Sequence, residues 1–191
     1  MITIEQLRAI CPHAKVEVVE PLSAAMDEFQ INTPERQAAF IAQLAHESGC
    51  FRYTRELASG DAYEGREDLG NTEPGDGRRF KGWSWVQTTG RKNTGIISQA
   101  LYGDNRLVDD PTLIDPPGLE LCARASGHFW TVGAGLNLSK RAIAHGVQQG
   151  CNLNDLADVG DFEGITLAVN GGLNGQPERI AFWEELKGET A

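Results

Sequence analysis

Apolar positions recur along this chain at helical spacing, and almost nowhere do they alternate as they would in a half-buried strand. Thr3-x-x-Gln6 has the form of a capping box and predicts a short first helix ending near Cys11-Pro12. A second helix is expected over roughly Val16 to Phe29. Thr33-Pro34-Glu35 then supplies an N-cap, a proline at the first helical position and an acidic first turn. The helix so opened runs to Ser48, with Ala38, Ile41, Leu44 and Ala45 on its apolar face and Gly49 as its stop. Residues 59–82 carry six glycines and one proline among many charges and read as a long irregular loop. Helices resume after Arg91, over about Leu119–Trp130 and Asp161–Val169, the latter stopped by Asn170-Gly171-Gly172. A last helix is expected from Pro177, burying Ile180 and Trp183. The pattern predicts a mainly α, single domain over residues 1–191, with at most a short β element and no second module.

Composition narrows this picture. Hydrophobic residues make up 40% and charged residues 23% of 191, an ordinary globular mixture with length enough for one core and a cleft. No apolar run approaches the ~20 residues that span a bilayer. The start, Met1-Ile2-Thr3-Ile4-Glu5-Gln6, lacks the basic and apolar regions of a secretory signal. Synthesis in the cytoplasm is therefore expected, with the protein kept there unless something else releases it. Cys11, Cys50, Cys122 and Cys151 are widely spread and are expected as separate thiols. His46-Glu47 begins an H-E-x-x-H pattern that fails at Cys50, so no metal and no cofactor are expected. The net charge of −10 argues against nucleic acid as a partner. That charge is uneven. Residues 52–106 hold nine Lys/Arg against eight Asp/Glu, a balance of +1, and the remainder holds −11. The centre is thus the part best able to approach an anionic polymer.

Two carboxylates stand out. Phe40, Leu44 and Glu47 fall at i, i+4 and i+7, so Glu47 projects beside the apolar face at the end of its helix. Partial desolvation there suits a group that must hold a proton. Nine residues later, beyond the Gly49 turn, stands Glu56, with Arg52 and Arg55 as possible partners to keep it ionised. Nine residues suffice to set the two on opposite walls of a cleft, as inverting glycosidases require for the attacking water.

The run Arg36-Gln37-Ala38-Ala39-Phe40-Ile41-Ala42-Gln43-Leu44-Ala45-His46-Glu47-Ser48-Gly49 resembles the acid-bearing helix of family 19 glycoside hydrolases. The likeness is closest to their phage and bacterial endolysin branch, the chitinase-like lysozymes. Phe51-Arg52-Tyr53-Thr54-Arg55-Glu56 is similar to the segment carrying the family's general base. Phe80-Lys81-Gly82, with Val86-Gln87-Thr88-Thr89-Gly90-Arg91-Lys92-Asn93, resembles its substrate-cleft segment, and Asn170-Gly171-Gly172-Leu173-Asn174-Gly175 with Arg179 its closing motif. The resemblance implies Glu47 as general acid, Glu56 as general base and Thr89 as the residue holding the attacking water. It implies Tyr53, Gln87, Asn93, Asn170 and Arg179 as residues of the substrate cleft. The expected activity is inverting hydrolysis of β-1,4 bonds between the N-acetylated sugars of peptidoglycan, by a monomeric endolysin. A chitinase is the near alternative, and a catalytically silent wall-binding or virion protein the alternative of another class. Three departures from the family pattern stand out: Gly82-Trp83-Ser84 for Gly-Arg-Gly, Thr94 for Tyr, and Cys50 for a glycine. Trp83 is either a sugar-stacking residue that replaces the arginine or a core tryptophan.

Overall fold

A computed structural model describes residues 2–189. Its order is α1 (Ile4–Ile10), α2 (Val19–Glu28), α3 (Pro34–Glu47), α4 (Asp76–Arg79), α5 (Arg91–Tyr102), α6 (Arg106–Asp109), α7 (Leu119–His128), α8 (Lys140–His145), α9 (Leu153–Asp158), α10 (Phe162–Asn170) and α11 (Gln176–Glu189). The expected mainly helical architecture is what forms. Among the described residues the isolated backbone bridges, Arg55 to Trp83 and Trp83 to Thr88, make up the β element. No described helix is long and apolar enough to cross a membrane.

α3 is the axis. Thr33 caps it by accepting from the Arg36 amide, Pro34 pre-sets its first turn, and every residue from Ala38 to Ala45 is buried. A helix buried on all sides needs neighbours on all sides. α11 lies along it, and α9 and α10 pack against it, while α2 packs on α7. A smaller core of Phe80, Trp83, Ile97, Leu107, Ile114 and Leu121 lies under α5 and α7.

Several boundaries differ from the sequence pattern, each for a local reason. The stretch expected as one helix over Val16 to Phe29 begins as a 3-10 turn, Val16–Val18, before α2. The helix expected to reach Trp130 leaves α geometry at His128 and continues as a π turn, Phe129–Gly133. In α11 the buried positions are Arg179 and Leu186, whereas Ile180 is 40% exposed; Trp183 is half-buried and stacks on Phe162 at 4.5 Å. Residues 59–82 are not featureless. Asn71 is fully buried and ties two segments together, donating to the Tyr63 carbonyl at 2.8 Å and accepting from the Arg91 amide at 2.9 Å. Buried Asp76 receives the Arg91 side chain in a two-pronged ion pair. Burial alone pushes the Asp76 carboxyl up, but Arg91 and the Glu73 amide outweigh it and hold it below its ordinary value.

The cysteine expectation is overturned. Cys11 and Cys50 form a disulfide, their Cα atoms 5.4 Å apart, which joins the end of α1 to the turn after α3. Spacing alone could not show this, because the two meet only when α1 packs near the end of α3. Cys122 remains a free, buried thiol, pushed up to about 12 by burial and so unreactive. The bridge spans 39 positions of sequence, and a loop of that size is worth about 2–4 kcal/mol. Cys11→Ser is therefore expected to lower the urea midpoint, and dithiothreitol to have the same effect on the wild type but none on the variant.

Candidate active site

The site is assembled from the end of α3 outward. Gly49, Cys50 and Phe51 all adopt left-handed backbone, with φ of 58°, 62° and 60°. Only glycine adopts this region freely, so the two side-chain-bearing residues must be held there. The Cys11–Cys50 bridge holds one, and Phe51 is held by an edge-on contact with Trp85 at 5.2 Å. Ser48 closes the turn: its hydroxyl donates to the Leu44 carbonyl at 2.6 Å and accepts from the Phe51 amide at 2.7 Å. Position 50, a glycine in the family pattern, is thus a place where left-handed backbone is required and a disulfide stands in for conformational freedom. The turn sends the chain from Glu47 on to Glu56. Tyr53 lies on its outer side, 38% exposed, packed over Gly49.

Glu47 meets Arg179, whose side chain is only 1% exposed. The guanidinium donates to Glu47 Oε1, to Gln43 Oε1 one turn earlier on α3, and to the Asn174 carbonyl at 3.1 Å. Gln43 is itself buried and donates to Thr166 of α10 at 2.8 Å. His46 packs against Gly175, where any side chain would collide with the ring, and pairs with Glu178 at 2.5 Å. The 170–175 turn and the start of α11 are thereby docked onto the end of α3 that carries Glu47.

Glu56 is held differently. Its Oε2 accepts from the Gly82 amide at 3.0 Å and its Oε1 from the Tyr63 hydroxyl at 3.1 Å, while its own amide donates to the Gly82 carbonyl at 2.8 Å. Burial and the bond to Glu56 push the Tyr63 phenol above its ordinary value, which keeps it a donor. Gly82 is required by space: a Cβ there would lie 2.4 Å from Gln87 Oε1 and 3.2 Å from Glu56 Oε2. Gln87 therefore sits beside the carboxylate. Of the arginines expected beside Glu56, Arg55 lies near enough to attract it electrostatically but makes its hydrogen bonds to the carbonyls of Lys81 and Arg79 at 3.0 and 2.8 Å, while Arg52 lies over the Tyr53 ring at 5.6 Å.

Gln87, Thr89, Asn93 and Asn170 line one cavity of about 600 Å³. Thr89 donates to the Gln87 carbonyl at 3.0 Å, and Asn93 to the Thr89 carbonyl at 2.8 Å, so the three form one locally bonded unit. The Asn170 side-chain nitrogen is buried without a partner. Neither carboxylate lines the cavity; Glu56 adjoins it through Gln87, and Glu47 through the 170–175 turn and Arg179. Trp83 belongs to neither wall. It is fully buried in the smaller core and cannot stack on a sugar ring. Its indole N–H donates to Thr94 at 3.1 Å, so two of the three departures from the family pattern are bonded to each other.

Tyr63, Gln43 and the Gly82 amide escape a reading of the sequence. Gln43 leaves one signal, a polar residue four positions before Glu47 on the same helical face. Tyr63 leaves none, because only the fold of the 59–82 loop carries it to Glu56. Removing the buried guanidinium should expose its importance. Arg179→Met leaves Glu47 and Gln43 without their donor and is expected to cost about 3–5 kcal/mol, read as a fall in the urea midpoint.

No protein-family model matches the chain. It is 24% identical, over 97% of its own length and 96% of the other's, to a glycosyl hydrolase family 19 domain-containing protein of Haemophilus influenzae. Among solved structures it superposes on a bacterial family 19 chitinase with a TM-score of 0.74 at 20% identity, covering 97% of this chain and 93% of that one. It matches chitinase C from Streptomyces griseus with a TM-score of 0.72 at 17% identity, covering 97% and 90%. Along its whole length the chain is thus similar to a family 19 glycosyl hydrolase domain protein, and its fold is the one seen in family 19 chitinases.

Proposed function

We propose that this protein hydrolyses β-1,4 bonds between the N-acetylated sugars of peptidoglycan, with inversion, as a lysis enzyme of the endolysin kind. The observation that carries this reading is the unequal seating of the two carboxylates. Glu56 accepts two hydrogen bonds, from a backbone amide and a phenol, and neither partner brings a charge. Such a seat orients a carboxylate that takes a proton from water. Glu47 has one oxygen, Oε1, fixed by Arg179, and its Oε2 is the oxygen that delivers a proton to the departing glycosidic oxygen. Water held by Thr89 attacks from the opposite face of the sugar, and no covalent intermediate forms. Gln87, Asn93 and the unpartnered amide of Asn170 are the contacts to the glycan.

The wall polymer is favoured over chitin by the charge pattern: the near-neutral centre contributes Glu56 and one wall of the cavity to an otherwise acidic chain, which eases the approach of an anionic polymer there. The likeness to chitinases in fold favours the second reading, hydrolysis of N-acetylglucosamine polymers. In either case synthesis in the host cytoplasm and release to the wall would bring enzyme and polymer together.

Clearing of purified Gram-negative peptidoglycan separates the readings. The wild type is expected to clear it, and Glu47→Gln and Glu56→Gln each to lose roughly 10²–10⁴-fold in rate while remaining folded. Product analysis should show the inverted anomer first; initial release of the retained anomer would sink the mechanism. Clearing of chitin oligomers alone would move the substrate to the second reading. Gly82→Ala is expected to displace both Gln87 and Glu56, lowering turnover by about 10²-fold with little change in melting temperature.

A further inference from the structure

The cavity beside the carboxylates contains two groups that cleavage of a sugar–sugar bond does not call on. His128, the last residue of α7, lines the cavity and is only 8% exposed, and its Nδ1 is buried without a hydrogen-bond partner. A buried polar nitrogen in that condition is costly unless something outside the chain bonds to it. Burial also pushes the imidazole below its ordinary value, so it is neutral near pH 7 and suited to an amide rather than an anion. Lys92 lines the same cavity from α5, exposed, with no ion pair or hydrogen bond among the described residues. One turn further along α5, Ile96 is 37% exposed on the same wall, and Leu136 faces the cavity 43% exposed.

We propose that this cavity receives the stem peptide carried by the wall glycan, with His128 bonding a peptide amide and Lys92 pairing with a peptide carboxylate. The ligand class follows from the set of groups. A buried neutral imidazole nitrogen, partly exposed apolar side chains and an exposed, unpaired ammonium on one cavity match a chain that carries amide, alkyl and carboxylate groups. An unsubstituted N-acetylated polysaccharide offers no anion to Lys92. At about 600 Å³ the cavity lies within the ~300–1,000 Å³ that small-ligand pockets occupy. The surrounding segment, residues 52–106, has a balance of +1, so a peptide carboxylate is not repelled there as it would be elsewhere on this chain. His128 and Lys92 are thus specificity-determining residues, which select glycan that bears peptide over bare glycan.

The inference rests on the peptidoglycan reading, and its test is kept independent of turnover. Binding of two soluble wall oligomers, one with stem peptides and one stripped of them by an amidase and then amidated at the lactyl carboxylates this exposes, is measured by calorimetry in a Glu56→Gln background. The unstripped oligomer is expected to bind more tightly. Lys92→Met should weaken its binding roughly 2–5-fold, and His128→Phe roughly 5–10-fold, with the stripped oligomer unchanged by either. His128→Asn, whose amide lies near the place of Nδ1, should restore part of the loss and serves also if the phenylalanine variant does not fold. Equal affinity for the two oligomers, or equal weakening of both by the variants, overturns the inference. Hydrolysis of either oligomer by the wild type is scored separately, so a failure of the lysis reading is not mistaken for a failure of this one.

Discussion

A guanidinium with 1% of its side chain exposed has to be met on every donating edge, and Arg179 is met by three groups from two separate pieces of chain. Glu47 and Gln43 come from consecutive turns of α3, and the Asn174 carbonyl from the turn that follows α10. Satisfying one ion therefore fixes how α3, α10 and α11 lie together, because Gln43 passes the constraint on to Thr166 of α10. The all-round burial of α3 supplies the driving force for packing, but burial is non-directional. The arginine fork is directional, and it selects one registration of α11 among those that cover α3 equally well.

The second carboxylate depends on that arrangement only indirectly. Three successive left-handed residues reverse the chain after α3, and the disulfide and the Phe51–Trp85 contact hold backbone angles that cysteine and phenylalanine resist. Beyond the turn, Glu56 is seated by the 59–82 loop, which is ordered through Asn71, Asp76 and Arg91. Glu47 and Glu56 are thus mounted on different supports, one rooted in the main core and one in an ordered loop. Independent supports allow the two seats to differ chemically, one built around a guanidinium and the other around an amide and a phenol.

How far such an arrangement can be read from sequence depends on the range of the forces involved. The α3 helix, its cap, its stop and the position of Glu47 on its face are local consequences of residue order, and they are found where periodicity places them. The ends of α7 and the inward face of α11 are not, because a π turn and a buried arginine answer to neighbours distant in sequence. Hence Ile180, apolar and correctly spaced, lies outward, while Arg179, the most polar residue of that helix, lies within. The four motifs of the site were legible because each is a short run. The partners Tyr63 and the Gly82 amide were not, since neither carries a periodic or compositional signature. The Cys11–Cys50 bond was misread for a related reason: widely spread cysteines say nothing about proximity until the helices that bear them have packed.

The bond between Trp83 and Thr94 couples two positions of the smaller core. An indole fills that core while a short hydroxyl accepts its N–H. A charged side chain in place of Trp83 would enter an apolar core unpaired, and a large ring in place of Thr94 would take the space of the indole. The two positions therefore tolerate change jointly rather than singly, and a redesign that alters one has to alter the other.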